Sequence, residues 1–253
     1  MADIYGADDY THVDPAIVYS DTNIPGPGAD PDLCDVRLCV QCACVSECEN
    51  SCVCVAASGD RNYIDGMLST DKLSDSSCVI ECNDLCRCSG SCGNRVVQLG
   101  PRRFLSVFWT GSRGYGLKTV SPIRRGSFIC EYAGEVIGRE EARRRALRDS
   151  VNYIFVLKEY SSNSVSETII DPTCIGNIGR YVNHSCQPNA AIVPVRIDSP
   201  IPKLAIFAIS NIRPNEEITY DYSSGSAEIG TSPCFCHTKN CRNFLPFNKD
   251  LLC

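Results

Sequence analysis

From residue 96 onward the chain alternates short runs of β-branched and aromatic residues with Gly- and Pro-containing turns. The runs at 104–109, 128–132, 153–157, 167–170, 190–197, 204–209 and 217–220 have the length and composition of strands. Gly114, Gly116, Pro122, Gly126, Pro172, Pro200, Pro202 and Pro214 punctuate them. One segment has a clear helical pattern, REEARRRALRD at 139–149, whose arginines read as a solvated face. A second short helix is predicted over 178–182. The predicted fold class is therefore mainly β with short helices. Upstream, residues 42–92 show little hydrophobic periodicity; 58–77 reads as a polar loop, and 223–233 as a Ser/Gly-rich linker.

Composition sharpens this picture. At 253 residues and 43% hydrophobic content, the chain has material for a buried core. No apolar run approaches the roughly 18–20 residues of a bilayer span. The opening MADIYGADDY lacks the basic and apolar regions of a secretory signal, so a soluble protein with no membrane role is expected. The net charge of -6 argues against a non-specific DNA coat, and no direct sequence-specific DNA binding is expected. Residues 1–33 carry seven acidic residues and no Lys or Arg, which leaves the remainder close to neutral. This lead ends in the turn-rich Ile24-Pro25-Gly26-Pro27-Gly28. It reads either as a solvated arm or as a surface for a basic partner.

The 19 cysteines change the picture most. Twelve lie between Cys34 and Cys92 and three between Cys234 and Cys241. Such density without a secretion signal reads as thiolate metal ligands ahead of a disulfide-rich extracellular fold. Two clusters stand out: Cys42, Cys44, Cys48, Cys52 and Cys54, then Cys82, Cys86, Cys88 and Cys92. A structural zinc takes four ligands. Nine thiolates satisfy three zincs if three of the sulfurs bridge, so this array closes as a three-zinc cluster. Such a cluster would replace a hydrophobic core in a segment that lacks one. Cys34, Cys39 and Cys78 are then surplus. Cys234, Cys236 and Cys241 leave a fourth zinc one ligand short, to be supplied from elsewhere in the chain.

Asn183-His184-Ser185-Cys186-Gln187-Pro188-Asn189 sets amide, imidazole, hydroxyl and thiol side by side. It reads as a polar turn or as a functional cluster. In Glu216-Glu217-Ile218-Thr219-Tyr220-Asp221-Tyr222, alternation places both tyrosines on one strand face. They form either a core stripe or the wall of a channel, and buried phenols need hydrogen-bond partners. Arg113-Gly114-Tyr115-Gly116 would let backbone approach a ligand closely.

Together these motifs resemble the SET-domain histone-lysine methyltransferases that carry flanking pre-SET and post-SET cysteine modules. The nine-cysteine array continuing into Gly93-Asn94-Arg95-Val96 looks like pre-SET. Arg113-Gly114-Tyr115-Gly116, Glu131-Tyr132-Ala133-Gly134-Glu135, Gly176-Asn177-Ile178-Gly179-Arg180 with Asn183-His184-Ser185-Cys186, and Tyr220-Asp221-Tyr222 look like the ordered SET motifs. Cys234 to Cys241 looks like post-SET.

The resemblance implies a SET β-clip fold with a C-terminal pseudoknot. It implies an acidic arm at 1–33, a pre-SET module at 34–95, a SET domain at 96–223, and a linker with post-SET tail at 224–253. It implies methyl transfer from S-adenosylmethionine to a lysine of a histone, with the H3 tail or nucleosome as partner, in the nucleus on chromosomes. It assigns the cofactor to Asn183, His184, Tyr153, Arg180 and the backbone of Arg113, Gly114 and Tyr115, with Phe235 near the adenine. It gives Cys186 to the post-SET zinc, for four zinc ions in all. Tyr132 and Tyr222 would line the lysine channel, and Tyr220 would influence how many methyls are added; mono- and dimethylation are expected. Cys174 departs from the aromatic residue found there in relatives. The competing readings are a methyltransferase for non-histone proteins and an inactive SET binding module.

Overall fold

The computed structural model describes residues 4–6, 10, 12–30, 32–33, 40–74, 78–148, 153–160, 165–223, 228–247 and 251. Three sheets make its centre. One sheet orders Val18–Tyr19, Val165–Gly176, Gly134–Val136 and Ile24–Pro25, with Phe155–Tyr160 also pairing with Val165–Gly176. A second orders Asn183–His184, Glu217–Tyr220, Tyr115–Thr119 and Leu105–Trp109. The third orders Val79–Ile80, Ala190–Arg196, Lys203–Ala208 and Phe128–Tyr132.

Side chains from all three sheets meet in one apolar core that includes Leu117, Ile129, Ile170, Ile206 and Ile218. Strand Phe128–Tyr132 is buried along its whole length. Four of its five residues are apolar and face layers on both sides, while the buried Glu131 carboxylate pairs with Lys203 at 2.7 Å. A second cluster joins Phe128 and Phe207 to Tyr63, Leu68 and Val79, and so attaches the cysteine-rich region to the sheets.

The strands predicted at 128–132 and 217–220 have their predicted limits. The one predicted at 153–157 is displaced to Phe155–Tyr160, and the one at 167–170 is the middle of Val165–Gly176. Phe104 falls outside its strand because its φ of 66° breaks the extended run. The helix is Arg139–Arg148, and Asp149 lies outside the described residues. Its Arg139 and Arg144 pair with Glu167 and Glu141 on exposed surface, whereas Arg145 is buried against Glu135, Glu141 and Asp171. The predicted second helix is a 3-10 turn, Ile178–Tyr181, capped when the Asn177 side chain accepts the Gly179 amide.

Three expectations need correction. Residues 58–77 are not a plain loop: they contain a hairpin, Tyr63–Ile64 with Met67–Leu68, and a short helix, Thr70–Ser74. Buried Tyr63 and Leu68 drive this folding. The acidic arm is not simply solvated. Val18–Tyr19 and Ile24–Pro25 add to the first sheet, and buried His12 bonds the Gly176 carbonyl at 2.9 Å. Two-residue strands borrow an existing edge and leave no periodic trace. Within 223–233, Glu228–Pro233 is a strand that pairs with Phe244–Phe247 rather than a linker.

Candidate active site

The site forms where Glu217–Tyr220 runs between Asn183–His184 and Tyr115–Thr119. Asn183–His184 lies parallel beside Thr219–Tyr220, which brings the two most unusual motifs of the sequence into register. Gly179 sits so close to the Glu131 carbonyl that a Cβ there would collide with backbone, so the 3-10 turn leading to Asn183 requires glycine. Gly114, with φ of 71°, turns the chain between Arg113 and Tyr115.

Four aromatic rings gather at the end of this strand. Tyr132 and Phe155 are 6.1 Å apart between centroids, Tyr132 and Tyr220 6.3 Å, Phe155 and Tyr220 6.4 Å, and Tyr220 and Tyr222 4.8 Å. The tyrosines do share a site, but not by strand alternation. The strand stops at Tyr220 because the Asp221 carboxylate accepts the Ser223 amide at 3.0 Å and starts a turn. Tyr132 donates its hydroxyl to the Tyr153 carbonyl at 2.6 Å, and Tyr222 donates to the Val182 carbonyl at 3.0 Å. Burial raises the pKa of Tyr132, Tyr220 and Tyr222, so all three remain phenols at neutral pH.

Beside the rings lies a polar cluster. The Asn183 side-chain amide donates to the Tyr115 carbonyl at 3.2 Å and to Glu217 Oε1 at 3.0 Å. Arg113 pairs with the other Glu217 oxygen at 2.6 Å. Burial lowers His184 to about 4, against the opposing charge of Asp221, so its ring is neutral. Its Nδ1 accepts the Tyr222 amide at 3.2 Å, which leaves Nε2 to face Cys186 Sγ at 3.3 Å. Arg180 lies over the Tyr153 ring at 4.6 Å and donates from Nε to the Pro172 carbonyl at 3.0 Å. Phe235 is 43% exposed and available for stacking.

The cluster has an open donor: Arg113 Nε is buried without a hydrogen-bond partner among the described residues. A ligand with polar groups fits there. Glu217, Phe155, Asp221 and Arg242 are further members of this site. Glu217 and Asp221 lie inside the 216–222 motif, which marked neither for a role, and nothing local marked Phe155 or Arg242.

The cysteines gather as two separate sets. In the first, sulfurs within 4.8 Å of one another form the groups Cys42/Cys54/Cys82/Cys86, Cys42/Cys44/Cys48/Cys52 and Cys42/Cys48/Cys82/Cys88. Cys42, Cys48 and Cys82 recur among these groups. Cys92 is buried in the same cluster but stands outside the three groups. The second set is Cys186/Cys234/Cys236/Cys241.

Sulfur separations of 3.5 Å for Cys48–Cys82, 3.6 Å for Cys42–Cys48 and 3.8 Å for Cys186–Cys234 are far longer than a disulfide. They match the edge of a tetrahedron with metal–sulfur bonds of about 2.3 Å, which is about 3.8 Å. Both donor sets therefore fit zinc. Cys78 is in neither set: its sulfur meets Arg196 at 2.7 Å. Cys174 is exposed and Cys130 is buried, while Cys34, Cys39 and Cys253 lie outside the described residues.

This arrangement of three small sheets, a tyrosine cluster and flanking cysteine groups is that of a SET domain, and the SET-domain family model matches residues 114–223. The chain is 42% identical to the histone-lysine N-methyltransferase SETMAR of Homo sapiens over 93% of its own length, and it spans 37% of that protein's length. It is 42% identical to SETMAR of Bos taurus, covering 93% of this chain and 83% of that one. The crystal structure of the methyltransferase domain of human SETMAR superposes with a TM-score of 0.83 at 41% identity, covering 94% of this chain and 91% of that chain. Arabidopsis thaliana SUVH6 in complex with SAM gives a TM-score of 0.75 at 31% identity, with 95% of this chain and 53% of that chain covered. The chain belongs to the SET-domain family of histone-lysine N-methyltransferases.

Proposed function

We propose that this chain transfers methyl groups from S-adenosylmethionine to a lysine of the histone H3 tail, free or in the nucleosome, and stops mainly at mono- and dimethylation. The observation that carries this reading is the Tyr132/Phe155/Tyr220/Tyr222 cluster, with the His184 ring 5.2 Å from Tyr222 and Asn183 beside it on the strand paired with Thr219 and Tyr220. S-adenosylmethionine supplies a methyl group activated on a sulfonium.

Asn183, His184, Arg180, Tyr153 and the backbone at Arg113, Gly114 and Tyr115 would hold it, with Phe235 against its adenine. Tyr132 and Tyr222 would line the lysine channel. A lysine amine must be neutral to attack, and its free pKa is about 10.4. Desolvation by these rings disfavours the ammonium. The buried phenols carry no negative charge that would oppose this. His184 is not a base for the amine, because its Nδ1 is occupied by the Tyr222 amide and its Nε2 faces Cys186. Hydroxyls therefore orient the amine, the proton leaves to water, and alignment of the two reactants supplies most of the rate. Tyr220 would retain a water that limits further methylation.

The nine pre-SET cysteines would hold three zincs, and the post-SET group Cys186, Cys234, Cys236 and Cys241 a fourth. A chromatin substrate implies work in the nucleus on chromosomes. Mass spectrometry of recombinant H3 incubated with the chain and S-adenosylmethionine tests the proposal. Mono- and dimethyl-lysine at one position support it, efficient trimethylation removes the product claim, and an unmodified H3 removes the substrate claim.

A further inference from the structure

The residue after the last tail cysteine reaches back into the site. Arg242 donates from Nη2 to Asp221 Oδ1 at 2.6 Å, and its backbone amide donates to Cys186 Sγ at 3.4 Å. The same Nη2 stands 3.5 Å from His184 Nε2. Asp221 lies between Tyr220 and Tyr222, and its carboxylate shapes the turn that carries Tyr222 away from the strand.

Asp221 Oδ1 is also 3.6 Å from His184 Nδ1, which already accepts the Tyr222 amide. A carboxylate and a ring lone pair repel at that distance. Without a cation to draw it off, Asp221 would be pushed away, and the Tyr222 amide and ring would move with it. Arg242 is the cation in place. Its position follows from Cys241, one of the four clustered sulfurs.

We propose that Arg242 is a positioning residue that transmits the seating of the metal-bound tail to the tyrosine channel. The metal at Cys186, Cys234, Cys236 and Cys241 fixes the Arg242 backbone, Arg242 fixes Asp221, and Asp221 fixes Tyr222. A tail that has lost its metal releases the lock and leaves Tyr222 unset. The lock makes the tail part of the catalytic geometry. This proposal rests on the methyltransferase reading above.

The ion pair is about one-third exposed on both sides, 34% and 33%, so it contributes little to global stability. Its loss should therefore appear in turnover rather than in folding. Displacing a reacting group by about 1 Å costs on the order of 100-fold in rate.

The test compares the wild-type chain with Arg242→Gln, Asp221→Asn, their double variant and Arg242→Lys. The readouts are zinc content, kcat, and KM for S-adenosylmethionine and H3 peptide. Arg242→Gln should keep all its zinc and lose about tenfold or more in kcat, with both KM values within about threefold. Arg242→Lys should recover most of the rate. The double variant should be no worse than the worse single one, since both break the same contact. Losses that multiply, zinc lost with Arg242→Gln, or an unchanged kcat would each overturn the proposal. A wild type inactive on every protein tested would instead sink the methyltransferase reading. An active wild type with an equally active Arg242→Gln would sink only the lock.

Discussion

The two cysteine groups use the same chemistry for different ends. The first, on Cys42 to Cys92, is mostly buried, and next to Cys82 the buried Glu81 accepts Tyr63 at 2.6 Å, the Val96 and Val97 amides at 2.9 and 2.8 Å, and Gln98 at 2.9 Å. As a metal centre it would substitute for an apolar core, and its cysteines form a cluster separate from the one that holds Tyr132, Phe155 and Tyr220. The second is partly exposed and borrows Cys186 from the motif that also supplies Asn183 and His184. Under the zinc reading proposed above, metal in the first group would support the fold, and metal in the second would complete the site. Density of cysteines alone does not distinguish these roles, whereas the neighbours of each sulfur do.

Four substitutions would break or sharpen that contrast. Cys82→Ala removes a sulfur shared by two of the groups and should destabilise the chain by more than about 5 kcal/mol, read as loss of soluble protein and of several zincs. If the variant keeps its zinc and its melting temperature, the first group is not a structural centre. Glu81→Ala leaves buried amides and the Tyr63 hydroxyl without an acceptor, for a cost of about 3 kcal/mol in urea unfolding. An effect below about 1 kcal/mol would mean the contacts re-form elsewhere. Tyr222→Phe should leave the melting temperature in place and lower kcat about 100-fold; normal turnover would remove Tyr222 from the mechanism. Tyr220→Phe should change the overall rate least, within about threefold, while shifting products toward higher methylation by mass spectrometry. An unchanged product ratio would move the control of methyl number to another residue.

The sequence made the two ends of this contrast readable to different degrees. The cysteine spacing announced both groups, because ligand number is an arithmetic constraint. The central strands at 128–132 and 217–220 were visible because each is a short run rich in β-branched and aromatic residues, Phe128-Ile129-Cys130-Glu131-Tyr132 and Glu217-Ile218-Thr219-Tyr220. Hidden were the features that depend on contacts between distant segments. The arm strands Val18–Tyr19 and Ile24–Pro25 are two residues long and take their partners from Gly176 and Glu135 neighbourhoods far along the chain. Glu217 joins Arg113 across 104 positions, and no local pattern marks that pairing. Tyr220 and Tyr222 were placed together for the wrong reason: the turn at Asp221, not alternation, brings their rings to 4.8 Å. Phe155 looked like an ordinary strand residue until Tyr132 and Tyr220 closed around it.

The most direct measurement is zinc per chain together with H3 methylation for the wild type and Cys186→Ala, on the same preparations. Four-ligand coordination predicts about four zincs for the wild type and about three for the variant, which should fold and yet lose methylation. A variant that retains the wild-type zinc content, or one that loses a zinc and methylates at the wild-type rate, would contradict the claim that metal in the tail completes the site.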